Sequence, residues 1–182
     1  MTQRAPKLLQ REQLFSFALC ALGRRAHSIG ELRVKLRRRA ADPADVDAVL
    51  AQLKQAGYLD DRRFAESYAA ARLENQGLGR MRVLRDLRQR RVSPQLAEKA
   101  ADAVYQETSE PDLIRAYLAR KYRGRALAPF LAEEKNLAAA YRRLRYAGFS
   151  AGASIRVLKQ YSRKAEELED LGSDEPGSEV GS

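Results

Sequence analysis

Asp60-Asp61 is the first pair in the chain whose side chains could do chemistry, since two adjacent carboxylates can hold a divalent cation or divide the roles of general acid and base. No further set of His, Cys, Asp or Glu at ligand spacing accompanies it. A turn accounts for the pair more simply. Gly57-Tyr58-Leu59 closes one helix, and Asp60 or Asp61 caps the next, expected over residues 62–75, where negative charge suits the helix dipole. Glu133-Glu134 reads as a solvated helix face. His27, the single histidine, stands just before Ser28 with no acid or nucleophile beside it in a catalytic arrangement, so its expected role is structural. The single cysteine, Cys20, excludes an internal disulfide and a multi-thiolate metal site; beside Ala18, Leu19 and Leu22 it is expected to be a small core residue. Gly77-Leu78-Gly79-Arg80 has the glycines of a phosphate loop, but no strand precedes it and no Lys-Ser/Thr follows, which leaves a helix–helix corner. Tyr58, Phe64 and Tyr68 invite comparison with a base-stacking platform, yet the four-residue spacing of Phe64 and Tyr68 favours core packing. These residues point to a protein that is not an enzyme and has no catalytic, cofactor-binding or metal site.

The basic residues carry more information. The chain holds 34 Lys+Arg against 24 Asp+Glu, and residues 166–182 contain seven of the acids and no base. Residues 1–165 therefore carry 34 bases and 17 acids, a net charge of +17, which suits a polyanionic partner. The cations concentrate at Arg33, Lys35, Arg37, Arg38 and Arg39, at Arg80, Arg82, Arg85, Arg88, Arg90 and Arg91, and at Arg142, Arg143 and Arg145.

The elements that position them are helices. Apolar residues recur at helical spacing along most of the chain, and no segment alternates strictly between turn signals. Leu14, Ala18 and Leu22 form a first stripe. Ser28 and Glu31 form a capping box that opens a second helix with Ile29, Leu32 and Leu36 on one side. Asp42-Pro43 opens a third helix with Val46, Val49, Leu50 and Leu53 inward, and Gly57 ends it. No run is long and apolar enough for a membrane span or a signal peptide, so no membrane association and a cytoplasmic location are expected.

The three-helix pattern repeats when Leu36, Leu87 and Leu144 are used as anchors. Four residues earlier stand Leu32, Val83 and Ala140; six residues later come the caps Asp42, Ser93 and Ser150. Fourteen residues later stand Leu50, Ala101 and Leu158, and seventeen later Leu53, Val104 and Tyr161. The anchors are 51 and then 57 residues apart, so the third copy has a longer first connection, within 123–132. The expected organisation is an all-α chain of three tandem, degenerate three-helix repeats, stacked into an elongated, curved array. An N-terminal extension spans 1–10, the repeats span 11–56, 57–107 and 108–164, and an acidic disordered tail spans 165–182. The basic clusters fall on the middle helix of each repeat, so stacking in register would align them as a basic stripe.

Three strings stand out: Ser28-Ile-Gly-Glu-Leu-Arg-Val-Lys-Leu36, Gly57-Tyr-Leu-Asp-Asp-Arg-Arg-Phe-Ala65, and Gly77-Leu-Gly-Arg-Met-Arg-Val-Leu-Arg-Asp-Leu87. With them the sequence resembles the RecX family of bacterial modulators of the RecA recombinase. Arg120-Lys121-Tyr122 and Leu144-Arg-Tyr-Ala-Gly-Phe149 fit the family's third repeat, so the likeness covers about residues 11–162. The resemblance implies a non-enzymatic helical repeat protein that settles along the groove of the RecA–DNA filament. It implies inhibition of RecA's ATP hydrolysis, strand exchange and co-protease action, with weak, sequence-independent binding to single- or double-stranded DNA by a monomer. The 57–65 string transfers as a structural corner. The alternatives are a general DNA-binding module of helix-turn-helix style and a nuclease built on Asp60 and Asp61.

Overall fold

A computed structural model describes residues 8–166. Among these it has ten helices and no strand: α1 (Arg11–Arg24), α2 (Ile29–Arg37), α3 (Pro43–Gln55), α4 (Asp61–Gln76), α5 (Arg80–Gln89), α6 (Pro94–Tyr105), α7 (Glu110–Lys121), α8 (Leu127–Ala132), α9 (Glu134–Tyr146) and α10 (Ala151–Leu158). Most of the expected N-terminal extension, and the acidic segment beyond Glu166, lie outside the described residues. The long connection expected in the third copy folds into the short helix α8, which buries Leu131.

Local chemistry sets the helix starts. Ser28 Oγ accepts from Glu31 N–H at 3.0 Å, and Ser28 N–H donates back to Glu31 Oε2 at 3.3 Å, so the capping box is complete. The three caps six residues past the anchors all form: Asp42 accepts from Ala44 N–H at 2.9 Å, Ser93 from Leu96 N–H at 3.4 Å, and Ser150 from Ala153 N–H at 3.3 Å. Asp60 is the cap of α4, accepting from Arg63 N–H at 3.0 Å.

Burial follows the same register. Leu36, Leu87 and Leu144 are wholly buried, as are Leu32, Val83 and Ala140 four residues earlier. A fully buried leucine contributes about 1.5–3 kcal/mol relative to an exposed one, so these columns supply much of the folding drive. Seventeen residues past the anchors only Leu53 is fully buried; Val104 and Tyr161 are partly exposed. The first helix departs from expectation. Its buried face is Leu14, Ala18 and Ala21, Leu22 is only partly covered, and Cys20 is exposed. At 100° per residue, Cys20 lies about 200° around the helix from Ala18, on the far side from the core.

The chain forms two compact units. One contains the chain up to Ala70 together with Leu84–Ala103; the other contains Ala71–Val83 and the chain from Val104 onward. Helices α4, α5 and α6 each contain residues of both units. The first unit holds a core of Leu14, Leu32, Leu36, Val49, Leu53 and their neighbours, where α1, α2 and α3 pack together. The second holds a core of Ile114, Leu118, Leu137, Tyr141, Leu144 and Phe149, where α10 packs on α7 and α9.

One joint recurs inside these units. In the first, Ser28 at the start of α2 donates its hydroxyl to Arg90 O, in the turn after α5. A Cβ on Gly30 would lie 2.5 Å from Arg91 Cβ, so the approach requires glycine. In the second, Gly79 N–H donates to Ala147 O at 2.8 Å and Met81 N–H to Gly148 O at 3.2 Å, seating the start of α5 on the turn after α9. Arg91 (φ 60°) and Gly148 (φ 90°) each stand four residues past an anchor leucine and turn the chain through the left-handed region. The equivalent turn after α2 is sealed by backbone alone: Leu9 N–H donates to Arg39 O at 2.7 Å, and Ala41 N–H donates to Leu9 O at 2.9 Å. The carbonyl three residues past the anchor thus accepts a bond in all three copies, from Leu9, Ser28 and Gly79.

Candidate interaction surface

The carboxylate pair at 60–61 divides into two structural roles. Asp60 caps its own helix, and the Arg63 N–H bond holds its carboxyl below the usual range. Asp61 reaches out of its helix to accept from Ile29 N–H at 2.7 Å, at the first turn of α2. Burial pushes the Asp61 carboxyl up, the bond from Ile29 works against that, and neighbouring Asp60 adds to the rise. Among the described residues no group of three or more His, Cys, Asp and Glu side chains stands close enough to hold a metal ion.

Beside Asp61 lies a charged cluster that spacing alone does not indicate. Glu31 receives Arg25 through both guanidinium nitrogens, at 3.1 and 3.2 Å, and Arg90 at 3.2 Å. Burial alone would raise the Glu31 carboxyl, but the bonds from Arg25 and Ser28 N–H and the charges of Arg25 and Arg90 hold it below the ordinary value. Arg90 also lies 4.7 Å above the ring of Tyr68, whose hydroxyl donates to Asp86 at 3.1 Å. Arg90 therefore has a structural position. His27 is buried, with Nδ1 2.9 Å from Arg25 O, and loss of solvation lowers its pKa.

The motif residues around Gly57 (φ 76°) frame an open groove of about 670 Å³ in the first unit, lined by Leu19, Leu22, Tyr58, Phe64 and Tyr68 among others. Phe64 and Tyr68 stack on each other, with centroids 6.0 Å apart, but both remain partly exposed. The wholly buried positions of α4 are Ala65 and Ala69, so the small residues, rather than the rings expected there, make its core contact. Tyr58 is exposed at the groove's edge, and Gly57 O accepts from Arg63 at 3.0 Å.

The basic residues of the three middle helices separate by environment. In the first unit Lys35, Arg37, Arg38, Arg85 and Arg88 are exposed, with Arg88 3.4 Å from Glu98, while Arg33 is partly covered and 3.1 Å from Asp47. In the second unit Arg142 and Arg143 are exposed, and Arg143 lies over the Tyr122 ring at 5.5 Å. Arg145 is partly covered and donates to Phe149 O at 2.6 Å; Arg80 and Arg82 are half-buried at the joint made by Gly79. The side chains that project into solvent are therefore a subset of the basic positions evident in the sequence. Two further exposed residues stand outside that basic set: Met81, and Tyr146, whose ring packs under Arg82 at 4.6 Å. The phase of α9 carries a signal for Tyr146, because its buried stripe is Leu137, Ala140, Tyr141 and Leu144.

Consecutive three-helix modules with arginine-rich middle helices define an all-helical repeat protein, and comparison with known proteins agrees. Residues 15–53 match the model of the first three-helix domain of RecX, and residues 60–100 that of the second. The protein named regulatory protein RecX in Pseudomonas fluorescens is 34% identical over 144 residues, covering 78% of this chain and 86% of that one. The chain belongs to the RecX family. The proteins of that name from Deinococcus radiodurans and Halorhodospira halophila are each 39% identical, over 94 and 112 residues. Those matches cover 52% and 62% of this chain, and span 44% and 66% of the relatives' own lengths. A crystal structure of RecX from Lactobacillus salivarius shares the fold, with a TM-score of 0.61 at 18% identity over 83% of this chain and 96% of that one. None of the described helices is long and apolar enough to cross a membrane.

Proposed function

We propose that this protein binds a RecA-type recombinase filament on DNA and restrains it, lowering ATP hydrolysis, strand exchange and co-protease action without catalysing a reaction itself. Membership of the RecX family supports the partner. The observation that carries the mode of binding is the two-sidedness of α2, α5 and α9: each buries an anchor leucine and leaves cations in solvent, Arg37 and Arg38, Arg85 and Arg88, Arg142 and Arg143. Such cations gain favourable energy from a polyanion mainly by releasing its counterions, which fits weak DNA contact without base selection. The three repeats at 11–56, 57–107 and 108–164 act as successive contact modules of a monomer.

The decisive experiment adds the protein to RecA on single-stranded DNA and follows ATPase rate and filament length. The expected result is a fall in both at or below equimolar protein. Unchanged ATPase and length at equimolar protein would reject the reading, and selection of a particular duplex site by footprinting in the absence of RecA would favour a helix-turn-helix mode.

A further inference from the structure

The turn after α7, inside the second unit, carries cations that the three middle helices do not account for. Arg120-Lys121-Tyr122-Arg123-Gly124-Arg125 holds four cations and no acid. The fold takes up Arg120, which donates to Asn75 O and Gln76 O, and Lys121 suits the C-terminal end of the α7 dipole. Arg123 and Arg125 stand beyond the helix end, where neither reason applies. Both are exposed, and neither side chain has a hydrogen bond or ion pair among the described residues. The nearest acids in sequence are engaged elsewhere, Asp112 with Arg115 and Glu133 with Asn136. Gly124 turns the chain at φ 82°, and nothing lies within 4 Å of where its Cβ would stand, so the turn is open to a ligand.

Two rings give the patch a second character. Tyr122 and Phe130 pack with centroids 5.0 Å apart; Arg125 lies over Phe130 at 4.9 Å, and Arg143 of α9 lies over Tyr122 at 5.5 Å. Contact with a ring holds a guanidinium in place without using its N–H donors, and both arginines remain exposed. We propose that Arg123, Arg125 and Arg143, with the Tyr122–Phe130 ring pair, form a site for single-stranded DNA. The guanidinium groups bind phosphates, and unpaired bases lie on the arginine and ring planes. The inference rests on the DNA contact proposed above and extends it, through Arg143, from α9 to a turn outside the middle helices. Charge complementarity selects a polyanion, since the patch is cationic with no acid on it. The rings select the single strand, because unstacked bases lie on aromatic and guanidinium planes, whereas the bases of a duplex are already stacked on one another.

The test measures affinity for oligo(dT) and for a duplex of equal length across a salt series, by fluorescence anisotropy. It compares the unaltered protein with the double variant Arg123→Ala, Arg125→Ala and with Arg123→Ala alone, which removes no ring contact. Arg156→Ala, Arg163→Ala is the charge-matched control, both residues being exposed and outside the patch. Thermal melts check folding. For the double variant the expected outcome is a fall of about tenfold in oligo(dT) affinity at low salt, with the slope of log affinity against log salt reduced by about 0.7 for each phosphate released. A smaller loss is expected on the duplex, and a smaller one still in the control. Unchanged oligo(dT) affinity and slope in both patch variants would overturn the site while leaving the proposed function standing. An equal loss in the control pair would show a general effect of charge and overturn it. Equal losses on duplex and oligo(dT) would overturn the single-stranded occupant. Unchanged oligo(dT) binding with weaker binding to RecA filaments would assign the patch to an acidic protein surface and overturn the inference. Failure of the unaltered protein to bind oligo(dT) removes the DNA contact and this inference together, while the RecA ATPase assay still decides the regulatory reading.

Discussion

Gly79 and Gly148 meet backbone to backbone, 69 residues apart in sequence, with Gly79 N–H bonded to Ala147 O beside them and no room for a side chain on either. Gly148 also adopts φ 90°, a conformation that costs other residues additional strain. Gly79→Ala and Gly148→Ala are each expected to cost about 3 kcal/mol or more, since a tightly packed joint must open. Urea unfolding measures this. Gly152→Ala is the control, because nothing lies within 4 Å of a Cβ there in α10, and the expected change is a gain of about 0.5–1 kcal/mol.

Asp61→Ala removes the acceptor for Ile29 N–H across 32 residues of sequence, and a destabilisation of about 1–2 kcal/mol is expected by chemical denaturation. The same variant tests the nuclease alternative: magnesium-dependent DNA cleavage by the unaltered protein that vanishes in Asp61→Ala would revive it.

His27 makes stability depend on pH in a window with little other titration. Its folded pKa lies below 6.5, so the unfolded chain binds more protons in that region and stability rises with pH. The contribution is complete above 6.5 and disappears as pH falls from there through the lower folded value. His27→Gln is expected to flatten the dependence of urea midpoint on pH as pH falls from 6.5 through the lower folded value. It is the only histidine in the chain, so the comparison is clean.

Arg142 and Arg143 project into solvent near the end of α9. The double variant Arg142→Glu, Arg143→Glu is expected to weaken binding to single-stranded DNA and to reduce the slope of log affinity against log salt by about 0.7 for each phosphate that is no longer neutralised. Fluorescence anisotropy over a salt series gives both quantities, and an unchanged slope would remove these two residues from the DNA-binding surface.

Much of the fold is legible in the sequence because its determinants are local. Capping side chains at Ser28, Asp42, Ser93 and Ser150 and the buried columns led by Leu36, Leu87 and Leu144 are visible within a few residues of one another, and the structure forms all of them. Cys20 lies outside the core despite its apolar flanks, because neighbours in sequence are not neighbours around a helix. Size favours Phe64 and Tyr68 as core residues of α4, but Ala65 and Ala69 allow the closer approach and take the buried face. The Glu31 cluster with Arg25 and Arg90, the reach of Asp61 to Ile29 and the glycine joints depend on segments about 30 to 70 residues apart, and no spacing rule announces which arginine or glycine will meet its partner. The basic positions are plain from residue type alone; which of them remain in solvent depends on the packing of each helix.

Leu9 gives the recurring joint a boundary. By occupying Arg39 O and Ala41 N–H, it fills the socket that the later copies offer to an incoming helix, using main-chain atoms that almost any residue type could supply. The Leu9 side chain also packs against the first unit's core, so an apolar residue is still favoured there, whereas a proline would delete the donor to Arg39 O and leave the turn held by the Ala41 bond alone.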